Sequence, residues 1–274
     1  MGRVEYWLLG MVGAIIAFVL VQTVSPIGVT RRPGLVVAQQ GHPRQQAEST
    51  TTPVLEEVPV ASRDAGADVH SAIRRSKAPK PVRNVADIRR RIADGAHGTY
   101  ILDMLLSQDS VLYRWPESRE HPLRVWIQSD PHVPDWWIGY VQSTREVFME
   151  WQAAGAPLRF DFPEDSAAAD IVIRWIDQFP PTELRIGKTR RVHDQNAWVT
   201  HAEIVVALHD REGEAFPPGE VSEILRHEIG HSLGLGHSRD RGTIMYPENT
   251  QLEITSLDRE TLHLLYTVPP GSLK

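Results

Sequence analysis

One eleven-residue stretch, HEIGHSLGLGH at residues 227–237, constrains this chain more than any other. His227 and His231 are four residues apart, a spacing that stacks two side chains on one face of an α-helix. Neutral imidazole is a preferred zinc ligand, so the pair can converge on one ion from adjacent turns. Glu228 points away from that face, yet it can reach a water beside the metal, where a general base belongs.

The second half of the stretch predicts a third ligand. Gly234 has no Cβ and can adopt the left-handed conformation that ends a helix and turns the chain. Such a turn can bring His237 back towards the first two histidines. Three protein ligands leave one position open for water, which is typical of a catalytic zinc and not of a structural one.

The pattern H-E-x-x-H-x-x-G-x-x-H resembles the signature of the metzincin metalloproteases, which carry a methionine-containing turn downstream. Met245, within GTIMYP, follows His237 closely, and this proximity resembles the matrixin branch. The resemblance covers residues 121–268. It implies an α+β fold with a twisted mixed sheet, a long backing helix, an active-site helix and a C-terminal helix. It also implies that Met245 forms the hydrophobic base beneath the three histidines without binding the metal.

Composition excludes several classes of protein. With 274 residues, 41% hydrophobic and 23% charged, the chain has room for one or two globular domains. A formal net charge of −6 and the lack of a basic stripe argue against a nucleic-acid partner. Cysteine is absent, so disulfides, thiolate ligands and a cysteine switch in a pro-segment are excluded.

The N-terminal residues predict a membrane segment. Residues 7–24 carry no charge, and this run is close to the lower limit for a membrane-spanning helix. The nearest cleavage-site candidate, residues 36–38, lies well past the run. We therefore expect residues 1–24 to be an uncleaved signal anchor, with secretion after cleavage as the alternative. Positive residues on both sides leave the orientation open, and the resemblance implies an extracytoplasmic catalytic domain.

Two segments separate this anchor from the catalytic domain. Residues 25–84 are rich in Pro, Gln, Ala, Thr and Ser and predict a disordered linker. Residues 85–118 predict two short helices with apolar positions at Val85, Ile88, Ile92, Ile101, Leu102, Leu105 and Leu106. They are either a packed support, which we favour, or a pro-segment whose Asp103 or Asp109 occupies the open zinc position.

Residues 119–270 are the predicted catalytic domain, and their pattern predicts alternating strands and helices. Strands are expected at residues 122–128, 157–162, 170–175 and 202–208, with residues 176–202 mostly irregular. A long helix is expected from a cap at Asp135 through Trp151, with Trp137, Val141, Val147, Phe148 and Trp151 on its apolar face. The zinc helix should bury Val221, Ile224, Leu225 and Ile229, and Thr255 with Asp258 should cap the final helix.

The resemblance adds three expectations about ligands. A strand near residues 202–208 forms the sheet edge that pairs with an extended substrate. Residues 246–254 line the main specificity pocket. A second, structural metal site could involve His193, Asp194 and His201, but their spacing matches poorly and favours ordinary loop residues, and calcium sites stay open.

Together these features predict a zinc endopeptidase that acts on protein or peptide substrates. Zinc is the one cofactor that the sequence implies. The competing interpretation is a catalytically silent, zinc-stabilised module that binds peptides near the membrane. A third is hydrolysis of another amide, such as a cell-wall peptide, by the same residues.

Overall fold

The computed structural model of the chain describes residues 78–117, 121–248 and 251–274. These ranges contain five α-helices and seven β-strands. In chain order they are α1 (Val85–Gly95), α2 (Ile101–Ser107), β1 (Val111–Leu112), β2 (Leu123–Ile127), α3 (Gly139–Ala153), β3 (Phe160–Asp161), β4 (Ile171–Ile176), β5 (Gly187–His193), β6 (Val199–Ala207), α4 (Pro218–Ser232), α5 (Ser256–Thr267) and β7 (Gly271–Ser272). A short 3-10 turn at Ser166–Ala168 joins β3 to β4.

The predicted signal anchor, residues 1–24, and most of the predicted linker lie outside these ranges. Among the described residues, none belongs to a helix that is both long enough and apolar enough to span a bilayer.

A five-stranded mixed sheet forms the frame of the fold, with the strand order β3-β2-β4-β6-β5. The first four strands in that order are parallel to their neighbours, whereas β5 is antiparallel to β6 and forms the outer edge. The central strand β4 reads IVIRWI and is mostly buried, as expected for a strand covered on both faces. This architecture agrees with the α+β class predicted from the sequence.

Two helices lie against this sheet, and they pack on each other. Helix α3 buries Tyr140, Thr144, Val147, Phe148 and Trp151, a set with helical spacing. Helix α4 buries Val221, Ile224, Leu225 and Ile229 as predicted, and it packs against α3, β5 and β6. The predicted strands β2 and β4 and the capping box of Thr255 and Asp258 are also confirmed.

The start of the long helix differs from its prediction. Helix α3 begins at Gly139, and the expected cap, Asp135, has a positive φ of 56°. Its carboxylate binds His209 instead, with Oδ2 and Nε2 2.9 Å apart. Trp137 precedes the helix and its side chain is 55% exposed, so it is not a core residue. The long-range contact with His209 therefore occupies the Asp135 carboxylate that the local sequence pattern predicted as a helix cap.

The segment predicted as irregular contains a strand. Residues 187–193, GKTRRVH, form β5, and the strand predicted at residues 202–208 begins earlier, at Val199. Because β6 has neighbours on both sides, it is not the sheet edge. The stretch was misread because charged residues replace the usual apolar alternation, as they often do on edge strands.

The two N-terminal helices share the core of the catalytic domain. Helix α1 buries Ile88 and Ile92, whereas α2 buries Ile101 and Met104 and leaves the predicted Leu102 and Leu106 exposed. Both helices lie near α5: a Cβ on Gly95 would meet Leu264 Cδ1 at 2.9 Å, and the Tyr100 amide donates to Thr261 Oγ1 at 3.0 Å.

The last described strand joins the N-terminal helices to the chain terminus. β1 pairs antiparallel with β7, with Val111 opposite Ser272. Arg83 and Arg89 donate hydrogen bonds to the carbonyl oxygens of Ser272 and Leu273.

Candidate metal centre

The structure brings His227, His231 and His237 together. One ring nitrogen of each lies within 4.8 Å of the others, and no other group of three possible ligands is found among the described residues. Nε2 of His231 and Nε2 of His237 are 3.1 Å apart. Ligand nitrogens about 2.0–2.1 Å from a tetrahedral zinc are about 3.3 Å from each other. The cluster is therefore compact enough to hold one such ion.

Hydrogen bonds fix the orientation of two of these rings. Nδ1 of His227 lies 2.7 Å from the carbonyl oxygen of Ile244, and Nδ1 of His231 lies 3.0 Å from that of Leu235. Because a carbonyl oxygen only accepts, each Nδ1 carries the proton. Each Nε2 is then left with a lone pair that a metal ion can use.

The chain reverses after α4 through a hydrogen-bonded cap. The amide of Gly234 donates to the carbonyl of His231 at 3.0 Å, and the amide of Leu235 donates to that of Gly230 at 3.1 Å. This pair of bonds is a Schellman motif, which needs a left-handed residue at its turn. Gly234 supplies it with φ 114°. The turn that the sequence predicted therefore exists, and it returns His237 to the first two histidines.

Distant side chains satisfy the carbonyls left free at the end of α4. The indole Nε1 of Trp115 donates to the Ser232 carbonyl at 2.8 Å, and the Tyr266 hydroxyl donates to the Leu233 carbonyl at 2.8 Å. The end of the ligand helix is thus held from the N-terminal segment and from α5. The sequence did not predict these roles of Trp115 and Tyr266, because no local pattern marks either residue.

Met245 lies beneath α4, fully buried. A Cβ built on Gly230 would lie 2.5 Å from Met245 Sδ and 2.9 Å from Trp151 Cζ2, so only glycine fits there. The Met245 carbonyl accepts from the Ser238 amide at 2.9 Å. This packing agrees with the structural role that the resemblance implied.

Asp258 connects the methionine turn to the final helix. Besides capping α5, its Oδ2 accepts from the Ile244 amide at 3.1 Å, and its Oδ1 accepts from the Tyr100 hydroxyl at 3.0 Å. The carbonyl oxygen of the same residue, Ile244, accepts the hydrogen bond from Nδ1 of His227. A chain of hydrogen bonds therefore runs from one histidine to α5 and α2.

Burial keeps the three imidazoles neutral. It lowers the pKa of His227 to about 4, lowers the pKa of His231 well below its ordinary value, and lowers the pKa of His237. Neutral imidazole is the form that binds a metal.

Glu228 lies beside the cluster but is not one of its ligands. Its Oε2 accepts a hydrogen bond from the Thr189 hydroxyl at 2.6 Å, and its side chain leaves no room for a Cβ on Gly187. Burial raises the pKa of Glu228 to about 7, and the Thr189 hydrogen bond and the Arg185 charge lower it. A divalent cation nearby would further favour the charged form.

These groups open into a cleft of about 610 Å³. Its walls are the segment Leu184–Thr189, the residues of α4 that face it, and Pro247 with Glu248. Pro247 and Glu248 belong to the segment that the resemblance assigned to the specificity pocket. The sequence did not indicate the wall formed by Leu184–Thr189, because β5 was not recognised.

The residues considered for a second metal site do not converge. His193 ends β5 and its ring lies 4.5 Å from that of Tyr113, whereas His201 is buried in β6. Asp194 accepts from the amides of Asn196 and Trp198. The two histidines are strand residues and not the loop residues that we expected.

The two carboxylates considered for latency have other partners. Asp103 accepts from the Arg239 amide at 3.1 Å, and Asp109 pairs with Lys274. These contacts favour the support role of the N-terminal helices.

The comparison with protein families agrees with this geometry. The model of the matrixin peptidase family matches residues 138–267, which include β4, β5, β6 and α4 with all three histidines. No curated protein matches the chain. A matrixin domain is that of a zinc metallopeptidase, and the three-histidine cluster fits its zinc site.

Proposed function

The chain carries a matrixin domain at residues 138–267, and from this premise we propose that it is a zinc-dependent endopeptidase. His227, His231 and His237 would hold the ion through their Nε2 atoms. When bound there, zinc supplies a Lewis acid that polarises a carbonyl and makes a water acidic near neutral pH. One observation carries the proposal: a buried carboxylate, Glu228, opens into the same cleft as the three histidines without being needed as a ligand.

Glu228 is the proposed general base. It takes a proton from the attacking water and later gives a proton to the leaving amine. Both proton transfers require the Glu228 carboxylate to keep one orientation, towards the attacking water and the leaving amine. Thr189 supports that orientation by donating to Oε2. The proton moves between water, Glu228 and the amine nitrogen, so no other acid is required.

The edge strand β5 is the proposed substrate-binding element. It replaces β6 in this role, because among the described strands β5 pairs only with β6 and leaves its outer edge open. An extended peptide can add to such an edge through main-chain hydrogen bonds, which demand little of its sequence. This arrangement would bring a peptide bond of the added strand alongside Glu228 and the histidines.

The first experiment compares the native chain with Glu228→Gln, both loaded with zinc, on a mixed peptide library. We expect equal zinc content and a loss of cleavage of at least about 1000-fold, since the base acts in the chemical step. Glu223→Gln, also on α4 but outside the cleft, is the matched control and should cleave normally. Normal cleavage by the zinc-loaded Glu228→Gln variant would disprove the assignment of the base.

The same experiment separates the endopeptidase from its alternative. A zinc-stabilised module that only binds peptides would hold one zinc and retain peptides, but it would cleave none of them in either form. Cleavage restricted to cell-wall peptides would assign the other amide substrate.

The compartment stays a prediction. It depends on the uncharged run at residues 7–24 and on the resemblance, which together favour an anchored domain outside the cytoplasm. Extraction of membranes from expressing cells with alkaline carbonate tests this prediction, since an anchored chain stays with the lipid.

A further inference from the structure

The open edge of the sheet is cationic. Lys188 and Arg190 lie on β5 and are exposed, and neither forms an ion pair with a residue that the structure describes. Arg185 precedes the strand and lines the cleft. The whole chain, in contrast, has a formal net charge of −6. The positive edge is therefore a local feature and does not follow from composition.

The two exposed cations share one face of β5. Thr189 lies between them and points to Glu228, and successive side chains of a strand alternate between its faces. Lys188 and Arg190 therefore point away from α4. Glu203 of β6 is the register partner of Arg190, but its Oε1 already binds Arg174 Nε at 3.0 Å.

The cleft has few compensating negative charges. Besides Glu228, the one carboxylate among the described residues that line it is Glu248, whose Oε2 lies 4.0 Å from Arg241. Arg185 is paired with Glu183 at 2.7 Å, so it contributes less than the two unpaired cations. The exposed charges that a bound peptide meets along β5 are thus Lys188 and Arg190, whereas Arg191, on the other face of the strand, is only partly exposed and lies over the Tyr113 ring.

We infer that the preferred substrates are extended segments with acidic side chains at alternate positions. The inference rests on the proposed function, in which the segment adds to β5. Side chains of an added strand lie about 4.5–5.5 Å, Cβ to Cβ, from those directly opposite. Every second side chain then faces Lys188 or Arg190. Each exposed ion pair should raise affinity by up to about fivefold.

The test uses peptides that share one cleavable sequence. In the first set, two positions separated by a single residue both carry Glu, both carry Gln or both carry Lys. In the second set, the same two positions are moved along the peptide by one residue. We expect kcat/KM to fall in the order Glu, Gln, Lys in one set only, because the other set faces α4. Two pairs should give a ratio of Glu to Gln of up to about 25-fold. The ratio should shrink at high salt.

Charge variants assign the preference to β5. The double variant Lys188→Glu with Arg190→Glu should reverse the order, and Lys188→Gln with Arg190→Gln should abolish it. Arg159→Glu is the matched control, since Arg159 is exposed beside β3 at the opposite edge of the sheet. It should keep the native order. Equal cleavage of the Glu and Gln peptides in both sets, or reversal by Arg159→Glu, would overturn the inference.

A binding assay separates this inference from the proposed function. Zinc-loaded Glu228→Gln is titrated with the same peptides carrying a fluorescent label. Charge-ordered binding without any cleavage by the native chain would support the acidic preference and refute the peptidase. Cleavage without charge order would do the opposite.

Discussion

At the residue scale, the site depends on a hydrogen bond that crosses from the sheet to the helix. The hydroxyl of Thr189 has one proton and two acceptors within reach. They are Oε2 of Glu228 at 2.6 Å and the backbone carbonyl oxygen of Glu228 at 2.9 Å. The threonine therefore contacts both the proposed base and the backbone of the helix that carries it.

Thr189→Val should reduce kcat/KM by about 10- to 150-fold, because a hydrogen bond to a charged group is worth about 1.5–3 kcal/mol. Zinc content should not change, since Thr189 is not a ligand. Thr189→Ser keeps the hydroxyl and should restore most of the activity. Equal activity of the Val and Ser variants would show that Thr189 has no part in orienting Glu228.

Gly230→Ala should destabilise the protein by about 1–3 kcal/mol, because the new methyl group would meet Met245 Sδ and Trp151 in a packed core. Denaturant unfolding of the metal-free protein measures this change. Gly219→Ala is the control on the same helix, since nothing lies within 4 Å of its Cβ. It should be neutral or slightly stabilising. Equal effects of the two substitutions would contradict the packing argument.

The sequence could predict some of these residues and not others. His227, His231 and Glu228 lie within one helical turn of each other, so their spacing defines their geometry. Thr189 is thirty-nine residues away from Glu228 and meets it only through the packing of β5 on α4. A contact of that kind depends on the register of a strand, which no local pattern specifies.

At the element scale, the cap of α4 determines where the third histidine lies. Gly234 combines a positive φ with a close approach: a Cβ there would lie 2.5 Å from the Tyr113 carbonyl oxygen. The two capping bonds and the hydrogen bonds from Trp115 and Tyr266 all end on carbonyl oxygens of residues 230–233, directly before this turn.

Gly234→Ala should lower zinc affinity by at least about tenfold, because the turn must move away from Tyr113 and takes His237 with it. Competition with a fluorescent chelator measures the affinity. Gly155→Ala is the control that separates movement of the turn from a general loss of stability. Gly155 also has a positive φ, 105°, but a Cβ built there would have nothing within 4 Å. It should cost about 1–2 kcal/mol of stability and leave zinc affinity unchanged. A similar loss of zinc in both variants would indicate general destabilisation.

Elements were predictable where their apolar spacing was strong. α3 and α4 have buried residues at a clear helix period, and β4 is a short, almost continuous apolar run, so the existence of all three follows from the sequence. β5 has only Val192 as a large apolar residue, so it lacks that period. The start of α3 was misplaced because Asp135 satisfies a distant histidine and not a helix terminus.

At the scale of the whole molecule, the N-terminal helices of the described residues belong to the same core as the candidate metal centre. A Cβ on Gly236, next to the third histidine, would lie 3.2 Å from Met104 Cγ and 2.7 Å from Gln108 Nε2. Helix α2 thus packs directly under the ligand loop. The sequence left two roles open for these helices, a packed support or a pro-segment, because it could not show which apolar residues of α2 are buried.

Removing residues 78–110 should destabilise the protein and weaken zinc retention, because the core loses five large buried side chains: Ile88, Ile92, Tyr100, Ile101 and Met104. Each is worth about 1.5–3 kcal/mol. The reference is a chain that begins at residue 78, and thermal unfolding, zinc content and peptide cleavage are compared. An increase in cleavage after the deletion would instead identify these helices as an inhibitory pro-segment.

The open edge of β5 has one more consequence, for self-association. A strand edge that is left open for the proposed substrates can also pair with the same strand of another copy, a pairing that leads to aggregation. Two copies joined antiparallel through β5 with Thr189 opposite Thr189 would bring Lys188 of each copy against Arg190 of the other. Like charges directly opposite destabilise a strand pair. The cations of β5 would therefore oppose pairing of two copies through that edge while leaving it open.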